Sequence, residues 1–236
     1  MPFVEPFPRR RPVPEVPVAP SAPSFADQVE RLVALGHPRL AGRTEEEFRA
    51  LLDPLAAPAA EVEAASTGAV AEGHVPVLLV VTRALVDPYD AVPLLRLVGR
   101  SGRPVGGPGI VDRNHAPGDL ATYDPLPELA VPDAPAYLIV DVERGEEFRD
   151  VAPEDALPVL RRRGRTPLTI DEGIALVTQV PHLLERNHCF MLSGSRRADR
   201  RVPALWISGR APKLGWCWDG NPHSWLGVAS AARRVV

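Results

Sequence analysis

Residues 75–82, VPVLLVVT, decide how the chain is read. The stretch is uncharged, rich in branched side chains and too short for a core helix, so it is expected as a buried β-strand. Residues 136–142, AYLIVDV, repeat the pattern. Two such runs predict central strands of one sheet, and the segments around them indicate what covers it.

Upstream, Ser24-x-x-Asp27 offers a cap and a first-turn acid to a segment in which Phe25, Val29, Leu32, Val33 and Leu35 recur at helical spacing as far as Gly36. Thr44-x-x-Glu47 is a fuller capping box, continued by Phe48, Leu51, Leu52 and Leu55 until Pro54 and Pro58 disturb the pattern before an alanine-rich stretch. Downstream, Pro153, Glu154 and Asp155 suit the first turn of a helix and Arg161, Arg162 and Arg163 its last, with Pro158 expected to bend it. Thr169-x-x-Glu172 opens a further helix carrying Ile170, Ile174, Val177, Pro181 and Leu184. From His188 the pattern changes to short strands at residues 189–192, 204–208, 214–218 and 224–229, separated by Gly, Pro, Asn and Asp. The fold class expected is therefore α+β, a mixed sheet covered by several helices and ending in an antiparallel β-meander. Residues 25–236 are expected as one domain. Residues 1–24, with eight prolines, are expected as a disordered, polyproline-like arm. Arg9, Arg10 and Arg11 lack the apolar run that a secretory signal needs, so cytoplasmic residence is expected.

Composition removes several kinds of chemistry. The chain has 236 residues, 45% of them hydrophobic, enough for a real core, and only two cysteines, too few for a disulfide framework. No apolar run suggests a membrane span. Lys213 is the single lysine beside 26 arginines, so any Schiff base or phosphate-loop lysine would have to be that residue. The glycine-rich residues 99–109 lack the Gly-Lys-Ser/Thr ending of a phosphate loop, and no G-x-G-x-x-G follows either strand. No cofactor is expected.

The net charge of -3 conceals an asymmetry. Residues 1–150 hold 14 arginines against 23 acids, a balance of -9, whereas residues 151–236 hold 13 basic residues against 7 acids, a balance of +6. All four tryptophans lie in the basic part, which is densest in aromatics over residues 186–236. Arg196, Arg197, Arg200, Arg201 and Lys213 with Trp216, Trp218 and Trp225 make a candidate binding face for an anionic small ligand, a nucleic acid or a protein partner, since guanidinium groups bind phosphate and indoles stack on bases. The competing expectation is that the indoles are core and the arginines pair with acids of the same chain. An enzymatic alternative groups Ser195, His223 and Asp219, with Ser193 and Asp199 nearby, although no G-x-S-x-G elbow is present. Cys189, Cys217, His188 and His223 add up to a zinc ligand set, but their spacing fits none, and no metal is expected. Asp112, Arg113, Asn114 and His115 form a further polar group; Asp112 and Asn114 are expected to bond their own backbone in a turn.

The segments RTPLTIDEGIALVTQ, DRRVPALWISG and PKLGWCWDGNPHSWLG, with YLIVDV before them, resemble an actinobacterial family known as a domain of unknown function, over most of residues 25–232. The resemblance implies an actinobacterial source, in keeping with the bias to arginine and alanine. It implies no activity, cofactor or catalytic residue.

Overall fold

In this computed structural model the described residues are 22–66, 73–99 and 101–236. Of the arm expected over residues 1–24, residues 1–21 lie outside them. The capping pairs define the helices. Ser24 and Thr44 each accept a hydrogen bond from the backbone N–H three residues on, while Asp27 and Glu47 reach back to the cap. They open α1 (Phe25–Leu35) and α2 (Glu45–Leu52), and Gly36 ends α1 in the left-handed conformation at φ 87°. The alanine-rich stretch is also helical: α3 spans Ala56–Ala65. Pro58 falls in its first turn, where a missing N–H costs nothing, and alanine propensity carries the rest.

The strands of the two five-stranded sheets and the two longer remaining helices follow as β1 (His74–Val81), β2 (Ile110–Val111), β3 (Ala136–Glu143), α4 (Pro153–Arg162, running through Pro158), β4 (Thr166–Pro167), α5 (Ile170–Gln179), β5 (Cys189–Met191), β6 (Arg201–Ser208), β7 (Ala211–Trp218), β8 (Leu226–Val228), β9 (Ser230–Ala231) and β10 (Arg233–Val235). The first sheet runs β1-β3-β9-β4, with β10 also paired to β3. β3 is central as expected; β1, antiparallel to it from His74↔Glu143 to Val81↔Ala136, is an edge strand. That position admits Pro76, which has no N–H to offer a second neighbour.

Pro76 lies opposite Asp141, whose φ is 54°. Each acts as one extra residue. On β3, Ala136, Leu138 and Val140 face one core, Tyr137 and Ile139 the other, and beyond Asp141 the alternation slips so that Val142 joins Tyr137 and Ile139. On β1, Val77 and Leu79 face the first core, Leu78 and Val80 the second, and Val75 joins the second by the same slip. The first core is roofed by Val29, Leu32, Phe48, Leu52, Leu55, Ala59 and Val62 of the N-terminal helices. The second contains α5 and the other sheet.

That second sheet has the order β8-β5-β6-β7-β2. Its middle is the antiparallel meander read from the sequence, β5-β6-β7. The last expected strand does not extend it: β8 returns to run parallel to β5, Leu226 against Cys189, and β2 adds in parallel to β7. The return is possible because two glycines cross. A Cβ on Gly145 would lie 2.0 Å from the Val228 carbonyl oxygen, and one on Gly227 would lie 2.3 Å from that of Gly145.

The first sheet is fastened to α5 through one buried group. Glu172, fully buried in the first turn of α5, receives the Thr169 N–H at 2.7 Å, the Tyr137 hydroxyl at 2.8 Å and the Arg234 guanidinium at 2.7 and 3.0 Å. Arg234 also donates to Thr166 Oγ1 at 2.9 Å and to the Pro167 carbonyl. Burial, then the Glu172 charge, pushes the Tyr137 phenol far upward, so it remains a donor at any ordinary pH. Removing Arg234 strands the carboxylate: Arg234→Ala should cost about 3–5 kcal/mol in urea unfolding, and the double variant Glu172→Gln/Arg234→Met clearly less than the sum of its parts. A loss under about 1 kcal/mol for Arg234→Ala would contradict this account.

Behind Gly36, His37 is buried and lines a cavity of ≈ 20 Å³, room for about one water, with Leu32, Leu79, Val86 and Ile174. Burial lowers its pKa from 6.5 to about 4. The unfolded chain therefore binds a proton that the fold refuses between those values. This contribution is fully present above pH 6.5 and is lost as pH falls to 4, about 3 kcal/mol in all. His37→Gln should flatten the stability profile over that window; an unchanged acid limb in urea titrations would refute the assignment.

Candidate functional site

Cross-strand pairs in the β6–β7 hairpin point to the same face, and this sorts the candidate residues. Arg201 is opposite Trp218 and Pro203 opposite Trp216, so Arg201, Trp216 and Trp218 share one face. Trp206, paired with Lys213, lies on the other, its ring filling the space over Gly215, where a Cβ would meet it at 2.1 Å. Trp225 stacks edge-on against Trp206 at 6.1 Å and tilts against His223 at 5.5 Å. Lys213 thus leaves the expected face because strand alternation turns it to the opposite side, and Trp225, in the turn before β8, leaves it by packing against Trp206 there.

On the face that remains, the Arg201 guanidinium lies 4.4 Å from the Trp216 ring and 6.0 Å from that of Trp218, and the two indoles meet edge-to-face at 5.0 Å. The Trp216 indole N–H donates to the Asn114 carbonyl at 3.2 Å, which fastens the 112–123 loop beneath it. Trp216 is half-buried and Trp218 is 45% exposed.

The positive charge is not free. Arg197 meets Asp119 at 2.9 Å and Asp199 at 3.4 Å; Arg201 meets Asp199 at 3.2 Å and Asp119 at 3.8 Å. Arg196 pairs with Asp219 at 2.9 Å, Arg200 with Glu154, and Lys213 with Asp112 at 3.1 Å. Every basic residue expected to carry the face has a carboxylate, in three cases one from the acidic first 150 residues. Asp119 is held below the usual carboxylate range first by the Ala116 N–H and then by Arg197. Asp112 accepts the Asn114 N–H at 2.8 Å, the turn expected from the sequence.

Two aromatic rings from the 112–123 loop lie inside the same cluster. His115, 6% exposed, and Tyr123, 0% exposed, pack edge-to-face at 5.6 Å. The Gly215 carbonyl faces the His115 ring as a hydrogen-bond acceptor, which leaves the other ring nitrogen and the Tyr123 hydroxyl without a partner. Burial lowers the His115 pKa and pushes that of Tyr123 up to about 12, so both rings are uncharged at neutral pH. Asp119 and Tyr123 were not singled out in the sequence, and Asp199 only as a carboxylate near the Ser195 grouping, since nothing local ties Pro117-Gly118-Asp119 to an arginine 78 residues later.

The Ser/His/Asp grouping does not assemble. Ser195 is fully buried and its hydroxyl accepts the Ile170 N–H at 3.0 Å, supporting the start of α5. Ser193 is also fully buried, without a hydrogen-bond partner. His223 lies against Trp225 with Nε2 unpartnered, and burial lowers its pKa. Asp219, whose pKa burial raises, faces Arg196.

The zinc-type set is dispersed too. His188 bonds Glu146 at 2.8 Å, Cys189 donates to the Glu185 carbonyl, and Cys217 lies 3.4 Å from the Met191 sulfur. Burial pushes the two thiols up to about 11 and 12 respectively, which makes them poor nucleophiles. Among the described residues the one group with metal-ligand proximity is His74, Asp141 and Glu143. Arg165 already lies 2.6 Å from Asp141 and 3.4 Å from Glu143, supplying the positive charge that those carboxylates need. Among the described residues no helix is long and apolar enough to cross a membrane.

No match was found among curated proteins or among solved structures. Residues 31–236 match a family of unknown function (DUF5701), and the chain, matched over most of its length, belongs to that family.

Proposed function

We propose that the chain is a non-catalytic binding protein whose recognition face is the Arg201–Trp216–Trp218 stack with Arg197 beside it, taking an anionic ligand that carries an aromatic ring. The observation that carries this reading is Trp218: an indole left 45% exposed on a strand, backed by a guanidinium and a second indole. A flat ring laid on such a platform gains about 1–3 kcal/mol. The anion would be met by Arg197 and Arg201, each with five donors of which Asp119 and Asp199 use only part. Because those carboxylates already neutralise the pair, stacking supplies more of the affinity than charge does. The committed Ser195 hydroxyl speaks for binding over hydrolysis. The cytoplasmic setting expected from the sequence belongs to the same reading.

Adenosine 5′-monophosphate should quench the tryptophan fluorescence, Trp218→Ala should abolish the quench, and affinity should weaken as salt rises. Absence of quenching would overturn the reading, and binding indifferent to salt would remove the anion from it.

A further inference from the structure

We infer that His115 and Tyr123 form a buried inner subsite behind this face, one that takes an uncharged hydroxyl group on the sugar ring of a ligand. Its place behind the face rests on the reading of the Trp216–Trp218 stack as a binding platform; the subsite itself stands on a separate observation. Two polar atoms, the His115 ring nitrogen turned away from the Gly215 carbonyl and Tyr123 Oη, are buried without partners on two rings in contact. Such orphans cost free energy, and native proteins keep few of them without a reason.

The chemistry of the missing partner follows from what surrounds the rings. Asp119 and Arg201 act electrostatically on both, which places them in one field. The nearby charges cancel: Arg197 and Arg201 against Asp119 and Asp199, Lys213 against Asp112. At the two rings this leaves no net charge for an ion, and an anion is left to the unused guanidinium donors of the outer face. A neutral imidazole whose N–H faces a carbonyl has an acceptor left, and a phenol offers one donor with acceptor capacity. The complementary group both donates and accepts and carries no charge, which describes a hydroxyl. Asn114, the neighbour of His115, holds the indole N–H of Trp216, so the two rings are connected directly to the platform on which a ring would lie. A ring-bearing ligand with hydroxyls on an adjoining ring satisfies both parts, and free sugar or the ribose of a nucleotide supplies the same chemistry.

The test follows the His115 ring signals by NMR while D-ribose is titrated into wild type, Trp218→Ala and Tyr123→Phe. Saturable shifts in the first two and none in the third are expected, with Tyr123→Phe at least as resistant to urea as wild type. Adenosine 5′-monophosphate should bind wild type about tenfold more tightly than its 2′,3′-dideoxy analogue and Tyr123→Phe equally to both. Ribose that leaves His115 unmoved in wild type overturns the subsite, an internal water then serving the rings, even where nucleotide quenching upholds the platform. Ribose that moves His115 while nucleotides quench nothing leaves the subsite standing and removes the platform. A Tyr123→Phe variant that loses stability identifies a hydroxyl already bonded within the protein and also overturns the subsite.

Discussion

The contact between Glu172 and Arg234 holds the architecture in register. A carboxylate with no exposure in the first turn of a helix would be untenable alone, and each of its neighbours is recruited from a different part of the chain. Tyr137 comes from the centre of the first sheet, Thr169 from the helix cap, and Arg234 from the last strand, which thereby closes on β3. Through α5 the same group reaches the second sheet, since the Ser195 hydroxyl caps Ile170 and Gly173 leaves room for Leu192. The helix serves as a common wall for two sheets that share no strand.

Charge partition has a comparable role at the surface. The acidic and basic portions of the sequence meet across the 112–123 and 196–201 loops, where Asp119 bridges Arg197 and Arg201. Their attraction converts an apparent polyanion-binding patch into an internal seam. What the seam leaves uncovered is aromatic, namely the outer indole of Trp218. A face of this kind discriminates by shape and stacking, with electrostatics confined to fine adjustment.

Features carried by local chemistry were legible in the sequence. The three capping boxes open their helices where Ser24, Thr44 and Thr169 predict, and both apolar runs are strands of one sheet. The helix over Ala56–Ala65 was hidden by Pro58, read as a breaker although it sits where a proline is harmless. The last strand was hidden because Arg233 and Arg234 look like a solvated end, whereas one of them is buried against Glu172. Long-range pairings were invisible altogether: β8 running parallel to β5, and Asp119 meeting Arg197 and Arg201, depend on approaches that no spacing along the chain records. For the candidate site, alternation placed Trp216 and Trp218 side by side, but only the fold separates Trp225 from them and brings Tyr123 beneath.

The paired slip at Pro76 and Asp141 has an evolutionary corollary. Each position inserts one residue into its strand, and because the insertions face each other the strands stay in step while their two faces exchange places beyond that point. Deleting either residue alone would leave every apolar side chain on its own face, since directly joined Val75 and Val77, or Val140 and Val142, already belong to opposite cores, and the residue left opposite would become an ordinary one-sided bulge. The two positions are therefore separable. A lineage can lose them one at a time, and an intermediate holding one would pass through a bulged sheet that still buries both of its faces.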